Sequence, residues 1–249
     1  PAAPAAKPAG PAGPAGPAGP AGPAGPAGPA GPAGGGQLRA LLRDRELRGL
    51  LAAVVLGAAA LSLLEPLLPV DLADRLGAGS FDVGLVFGAA TLAHGAVSPL
   101  VGRLADRCPR ARLVPGGLLA MAVVAPFLTV PGQPAAVAGL LVAFAVGYSF
   151  VLVPVLSRLA AVVRGNTGYG YPAVYGLFNI TYAVGMFAGP LAGGAAAAAL
   201  SVSSALAGLA VLLGLGGLLL ARPTHPVRRR LANPASTLRA ALGRGTATD

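Results

Sequence analysis

The chain has 249 residues, 55% of them hydrophobic and only 10% charged, with a mean hydropathy of +0.72. A soluble domain carries about 25% charged residues, so this composition excludes an ordinary water-soluble globule and points to a membrane protein. The formal charge of +10 does not point to nucleic acid: the basic residues are mostly Arg in short clusters between apolar runs, there is no Trp, and Tyr and Phe lie largely inside those runs.

The chain opens on Pro rather than Met and shows nothing like a cleavable signal peptide, so it is expected to be a fragment or a processed product. From Pro8 to Gly34 the triplet Pro-Ala-Gly repeats without a break. That tract meets the glycine-every-third-residue rule of a collagen helix, but so short a run has little to hold three strands together. A polyproline-like linker over residues 1–36 is the simpler expectation. Residues 37–48 mix Leu with Arg at helical spacing and read as an amphipathic segment on the inner membrane surface.

A helix needs about 20 mostly apolar residues to cross the hydrocarbon core. Six stretches qualify, 49–72, 82–102, 113–131, 135–157, 172–195 and 201–221, giving an all-α domain over 49–221 and a basic tail over 222–249. Loops on one side carry Arg103, Arg107, Arg110, Arg112, Arg158 and Arg164, whereas the other side holds only Arg75 beside Asp71, Asp74 and Asp82. By the positive-inside rule both ends are cytoplasmic. The single cysteine, Cys108, excludes an intrachain disulfide and a cysteine-based metal cluster.

The chemistry-bearing residues stand out against the apolar spans. Glu65, in the first, is an intramembrane carboxylate; burying such an acid costs about 2.5–3.5 kcal/mol on insertion scales, so it is expected to face a protein or water cavity, where it binds a cation or exchanges a proton. Pro66 and Pro69 remove helical hydrogen bonds beside it. His94, in the second span, is a candidate proton relay, although such a residue more often bonds only a neighbouring helix. Tyr175, Asn179 and Tyr182 share one face of the fifth span and read as cavity lining or interhelical glue, with Tyr148 and Ser149 of the fourth a weaker version of the same feature. Gly185, Gly189 and Gly193 recur every four residues, with Pro190 after the second, at the spacing of a close helix contact or hinge. Between spans two and three, Gly102 and Asp106 are expected to add a tight turn and a pairing acid to an arginine-rich loop that includes Arg107.

That loop, Gly102 to Arg107, resembles the Gly-x-x-x-Asp-Arg signature of the major facilitator superfamily in its C-terminal copy, with Pro109 where the signature usually has Gly. Leu64 to Pro69 resembles the seventh helix, and Tyr175 to Gly194 the eleventh, of the vesicular amine transporter and drug/proton antiporter branch. The resemblance implies one six-helix half of a twelve-helix transporter, rocking about a central cavity, with Glu65 as a binding or coupling carboxylate. It implies no cofactor; the partners are protons, a small-molecule substrate, the lipid bilayer and either a preceding six-helix half or a second copy. Ser149 and Asn179 stand where amine transporters carry further acids, so an amine substrate does not follow. The competing reading is a six-span scaffold or intramembrane enzyme, which would want a Ser–His or paired-Asp constellation or a zinc motif; no HExxH occurs and sequence assigns His94 no nucleophile.

Overall fold

The computed structural model describes residues 42–43, 45–108, 110–165 and 171–221. The Pro-Ala-Gly tract, Arg39, the 166–170 connection and the basic tail lie outside the described residues. The described part from Arg45 onward is six helices joined by short connections: α1 (Arg45–Leu76), α2 (Ser80–Arg107), α3 (Arg110–Val124), α4 (Pro134–Gly165), α5 (Tyr171–Ala199) and α6 (Val202–Ala221). Five are long and apolar enough to cross a membrane. With lipid on the outside, such helices satisfy their own backbone polar groups, which leaves side-chain packing to decide which helix meets which.

Several helices overrun the expected spans. α1 has 32 residues, about 48 Å at 1.5 Å per residue, so it exceeds a hydrocarbon core of about 30 Å. Its first turn takes in Arg45 to Arg48, the end of the expected amphipathic segment, which runs straight into the span. α4 likewise continues to Gly165, eight residues past the expected end at 157. The third span is shorter than expected: α3 ends at Val124 and tightens into a 3-10 turn over Ala125–Phe127. Pro126 is the cause, because it has no N–H to donate and its ring crowds the carbonyl one turn back.

The Gly102–Arg107 stretch is not a loop. α2 stays helical through Arg107, and the Cys108 N–H donates to the Leu104 carbonyl at 2.8 Å. The chain turns at Cys108, which is extended at φ −106° and ψ 146°, because the following Pro109 disfavours the helical conformation of the residue before it. Gly102 and Asp106 therefore sit within the last turns of a helix, and the expected tight turn falls just after them.

Packing is uneven around the bundle. α1 packs most extensively on α5, α2 on α4, and α3 on both α4 and α6. Leu64, Leu68 and Leu72 of α1, Leu118 and Met121 of α3, Phe144 of α4 and Leu206 and Leu213 of α6 fill the interior. At the α3–α4 crossing, a side chain on Gly117 would meet the Gly147 carbonyl oxygen at 2.7 Å, so glycine alone lets these backbones approach. α2 and α5 each leave a broad apolar side uncovered, Phe81, Leu85, Leu92 and Leu100 on one and Ile180, Val184, Phe187 and Leu191 on the other.

Candidate functional site

Three of the expected site residues come together near the middle of the bundle. His94 of α2 reaches α4, where its Nδ1 lies 2.7 Å from the Ser149 hydroxyl and 3.4 Å from the Ala145 carbonyl oxygen. The Ser149 hydroxyl also lies 3.2 Å from that carbonyl. Tyr148, one residue before Ser149, sets its ring against the imidazole, with centroids 5.5 Å apart and planes tilted by 34°. α2 and α4 meet here because small residues, Ala90 on α2 and Ala145 on α4, are buried around the crossing.

Tyr148 is 5% exposed and Ser149 is fully buried. Room for the tyrosine ring comes from α1: a side chain at Gly57 would meet Tyr148 Cε2 at 3.1 Å. The Tyr148 hydroxyl lies beside Tyr182 of α5 without the geometry of a formed hydrogen bond, and it is buried without a partner among the described residues. An unpartnered buried hydroxyl costs about 1–3 kcal/mol. Side chains of three helices, α2, α4 and α5, thus converge on one polar cluster, with Gly57 of α1 making room for it.

Glu65 is not part of that cluster. It is exposed on α1 and makes no hydrogen bond or ion pair with any described residue. Pro66 and Pro69 leave the helix unbroken, but they deprive the carbonyls of Ser62 and Glu65 of their usual partners one turn back. Ser62, which sequence reasoning passed over, is fully buried one turn before Glu65, and its hydroxyl lies 3.3 Å from the Ala59 carbonyl and 3.5 Å from that of Gly185 on α5. Its signal in the sequence was modest, a lone small hydroxyl in an apolar run three residues before an acid.

The fifth-helix stripe divides. Tyr175 stacks on Tyr171 at 5.9 Å and 14°, and Tyr182 on Phe178 at 5.9 Å and 26°, while Asn179 is exposed and unpaired among the described residues. Gly185, Gly189 and Gly193 are buried against α1. A side chain at Gly185 would meet the Val55 carbonyl oxygen at 2.6 Å, one at Gly189 the Ala59 carbonyl and Ser62 hydroxyl, and one at Gly193 the Leu63 side chain. Pro190 follows within the same helix. At the α2 terminus, Asp106 and Arg107 are exposed and Gly102 faces Val153 of α4.

Away from mid-depth, two ion pairs among the described residues mark the bundle's ends. Arg158 of α4 pairs with Glu46 of α1 at 3.0 Å. Arg75 of α1 pairs with Asp71 at 2.9 Å and also donates to the Pro131 carbonyl in the α3–α4 connection.

The His94–Ser149 pair has the elements of a hydrolytic dyad but not its setting. A nucleophile must be reachable by substrate and aimed at it, whereas Ser149 is fully buried and also bonds within its own helix. The pair is better described as an internal hydrogen bond between a buried hydroxyl and a half-buried imidazole.

A family model described as Major Facilitator Superfamily matches residues 50–246. The chain is also 26% identical over 162 residues to the MFS-type transporter SLC18B1 of Mus musculus, a match covering 59% of this chain and 35% of that protein. The chain therefore corresponds to about a third of that relative's length.

Proposed function

Since the chain belongs to the major facilitator superfamily and is a membrane transporter by that membership, we propose that it is the C-terminal six-helix half of a secondary active transporter. It exports a small organic or drug-like solute in exchange for protons by alternating access. The observation that carries this reading is the convergence of His94, Ser149, Tyr148 and Tyr182 from three helices at mid-depth, beside open faces of α2 and α5. In repeat-built transporters the binding site lies near the bilayer midplane between two repeats. A second six-helix half covers those open faces here, and a second copy of this chain is the other candidate for that place.

In this arrangement both chain ends are cytoplasmic, the Pro-Ala-Gly tract over residues 1–36 is the linker to the other half, and residues 222–249 form a basic tail. Tyr175, Asn179 and Tyr182 line the cavity, with the buried Tyr148 and Ser149 forming its inner wall behind His94, while Asp106 and Arg107 with Gly102 form the inner-side signature. The Gly185, Gly189 and Gly193 stripe with Pro190 is the contact about which α5 and α1 adjust. Glu65 reaches the cavity where the halves meet, and its exposure on the isolated half fits a carboxylate completed by the partner. His94 is the second coupling group. The plasma membrane is the proposed location.

The test is Glu65→Gln in the complete transporter, reconstituted in vesicles with an imposed pH gradient. Gradient-driven substrate movement is expected to be lost while substrate still binds. Unchanged coupled transport would remove Glu65 from the mechanism.

A further inference from the structure

His94 Nδ1 faces two oxygens at once, the Ser149 hydroxyl at 2.7 Å and the Ala145 carbonyl at 3.4 Å. A carbonyl oxygen accepts only. Were Nδ1 the lone-pair nitrogen, it would confront that carbonyl lone pair to lone pair, and the Ser149 hydrogen would have to leave Ala145 to serve it. With the proton on Nδ1, all three contacts become hydrogen bonds: Nδ1–H donates to Ser149 Oγ and, more weakly, to Ala145 O, and Ser149 donates its own hydrogen to Ala145 O at 3.2 Å. The bond made by one imidazole nitrogen thereby fixes the role of the other.

We infer that Ser149 is a positioning residue that holds His94 in its Nδ1–H tautomer, so that Nε2 is the atom that takes up and releases the coupled proton. Nε2 has no hydrogen-bond partner among the described residues, and the ring is partly exposed. A proton arriving as hydronium forms the Nε2–H bond as an O–H bond of hydronium breaks, leaving water; discharge reverses this, and the Nδ1 proton never leaves. The Tyr148 ring against the imidazole holds its plane and offers a π-face to the imidazolium. Among described residues the titratable group touching the imidazole is Tyr148 of α4, with Tyr182 of α5 beyond it. No acid or Lys/Arg side chain among the described residues is paired with the ring. The uncharged Ser149–Ala145 pair can therefore orient the ring without cancelling the charge it acquires.

This deepens the proposed transport mechanism and rests on His94 acting as a coupling group there. The experiment has two arms on the full-length transporter. His225 is the chain's other histidine; with it and the histidines of the remaining polypeptide replaced, nitrogen-15 NMR of labelled neutral His94 reads the tautomer directly. The expected result is Nδ1–H in the parent, a shift toward Nε2–H in Ser149→Ala, and a return to Nδ1–H in Ser149→Thr, which restores the hydroxyl. An Nε2–H tautomer in the parent, or a Ser149→Ala variant with unaltered tautomer, overturns the inference. If the tautomer behaves as expected but His94→Gln leaves coupled transport intact, Ser149 still positions the ring and it is His94's role in coupling that falls.

Discussion

α5 and α2 treat their neighbours in opposite ways. α5 lies on α1 through glycines whose missing side chains leave space for carbonyl oxygens and Ser62, a contact in which the two backbones nearly touch. α2 carries Gly84, Gly88 and Gly95, yet a side chain at any of these would meet nothing within 4 Å. The residues α2 buries are few, Val86, Ala90, Val101 and Ala105. The same residue type thus serves as a close-packed seam on one helix and as open surface on another. Glycine content alone does not mark a helix contact; a backbone on the other side does.

This contrast can be broken first at Gly189. Gly189→Leu forces a side chain into the Ala59 carbonyl and Ser62 and should destabilise the bundle by about 3 kcal/mol, read as a lower midpoint of thermal unfolding in detergent. A midpoint equal to the parent's would mean that α1 and α5 are not seamed as described. Gly88→Ala is the control on the other helix: with nothing to collide with, it should leave stability unchanged or raise it by up to about 1 kcal/mol through helix propensity. A clear loss would show that some covering element already presses on α2. The smallest effect is expected at the C-terminal end of α1. Asp71→Asn removes an ion pair at i,i+4 spacing and should cost about 0.5 kcal/mol or less, weakening further with salt; a cost of several kcal/mol would make that end a structural anchor.

Much of the architecture could be read from the chain. Long apolar runs can satisfy their backbones in lipid only as helices, so six helices and their order followed from hydropathy, with Pro126 and Pro109 adjusting where α3 and α2 end. The four-residue spacing of Gly185, Gly189 and Gly193 already implied a shared face. The location of the turn after α2 was misjudged because a glycine followed by an acid resembles a turn, whereas an uninterrupted run of backbone hydrogen bonds holds the helix until a proline stops it.

Partner choice was a different matter. His94 and Ser149 are 55 positions apart, and no local rule selects one from the several hydroxyls that a helix could present. Ser62 gained a role only when α5 was laid against it, and Glu65 proved to stand apart from His94 although both are polar groups in apolar helices. The sequence by itself determined that this chain lives in a membrane, how many helices it makes, and which residues there are expensive to leave unpaired, because transfer energy and helical periodicity are properties of short segments. Only the tertiary structure decided which of those residues meet, since helix pairing depends on the fit of whole surfaces in three dimensions, and that fit set two acceptors around a single imidazole nitrogen.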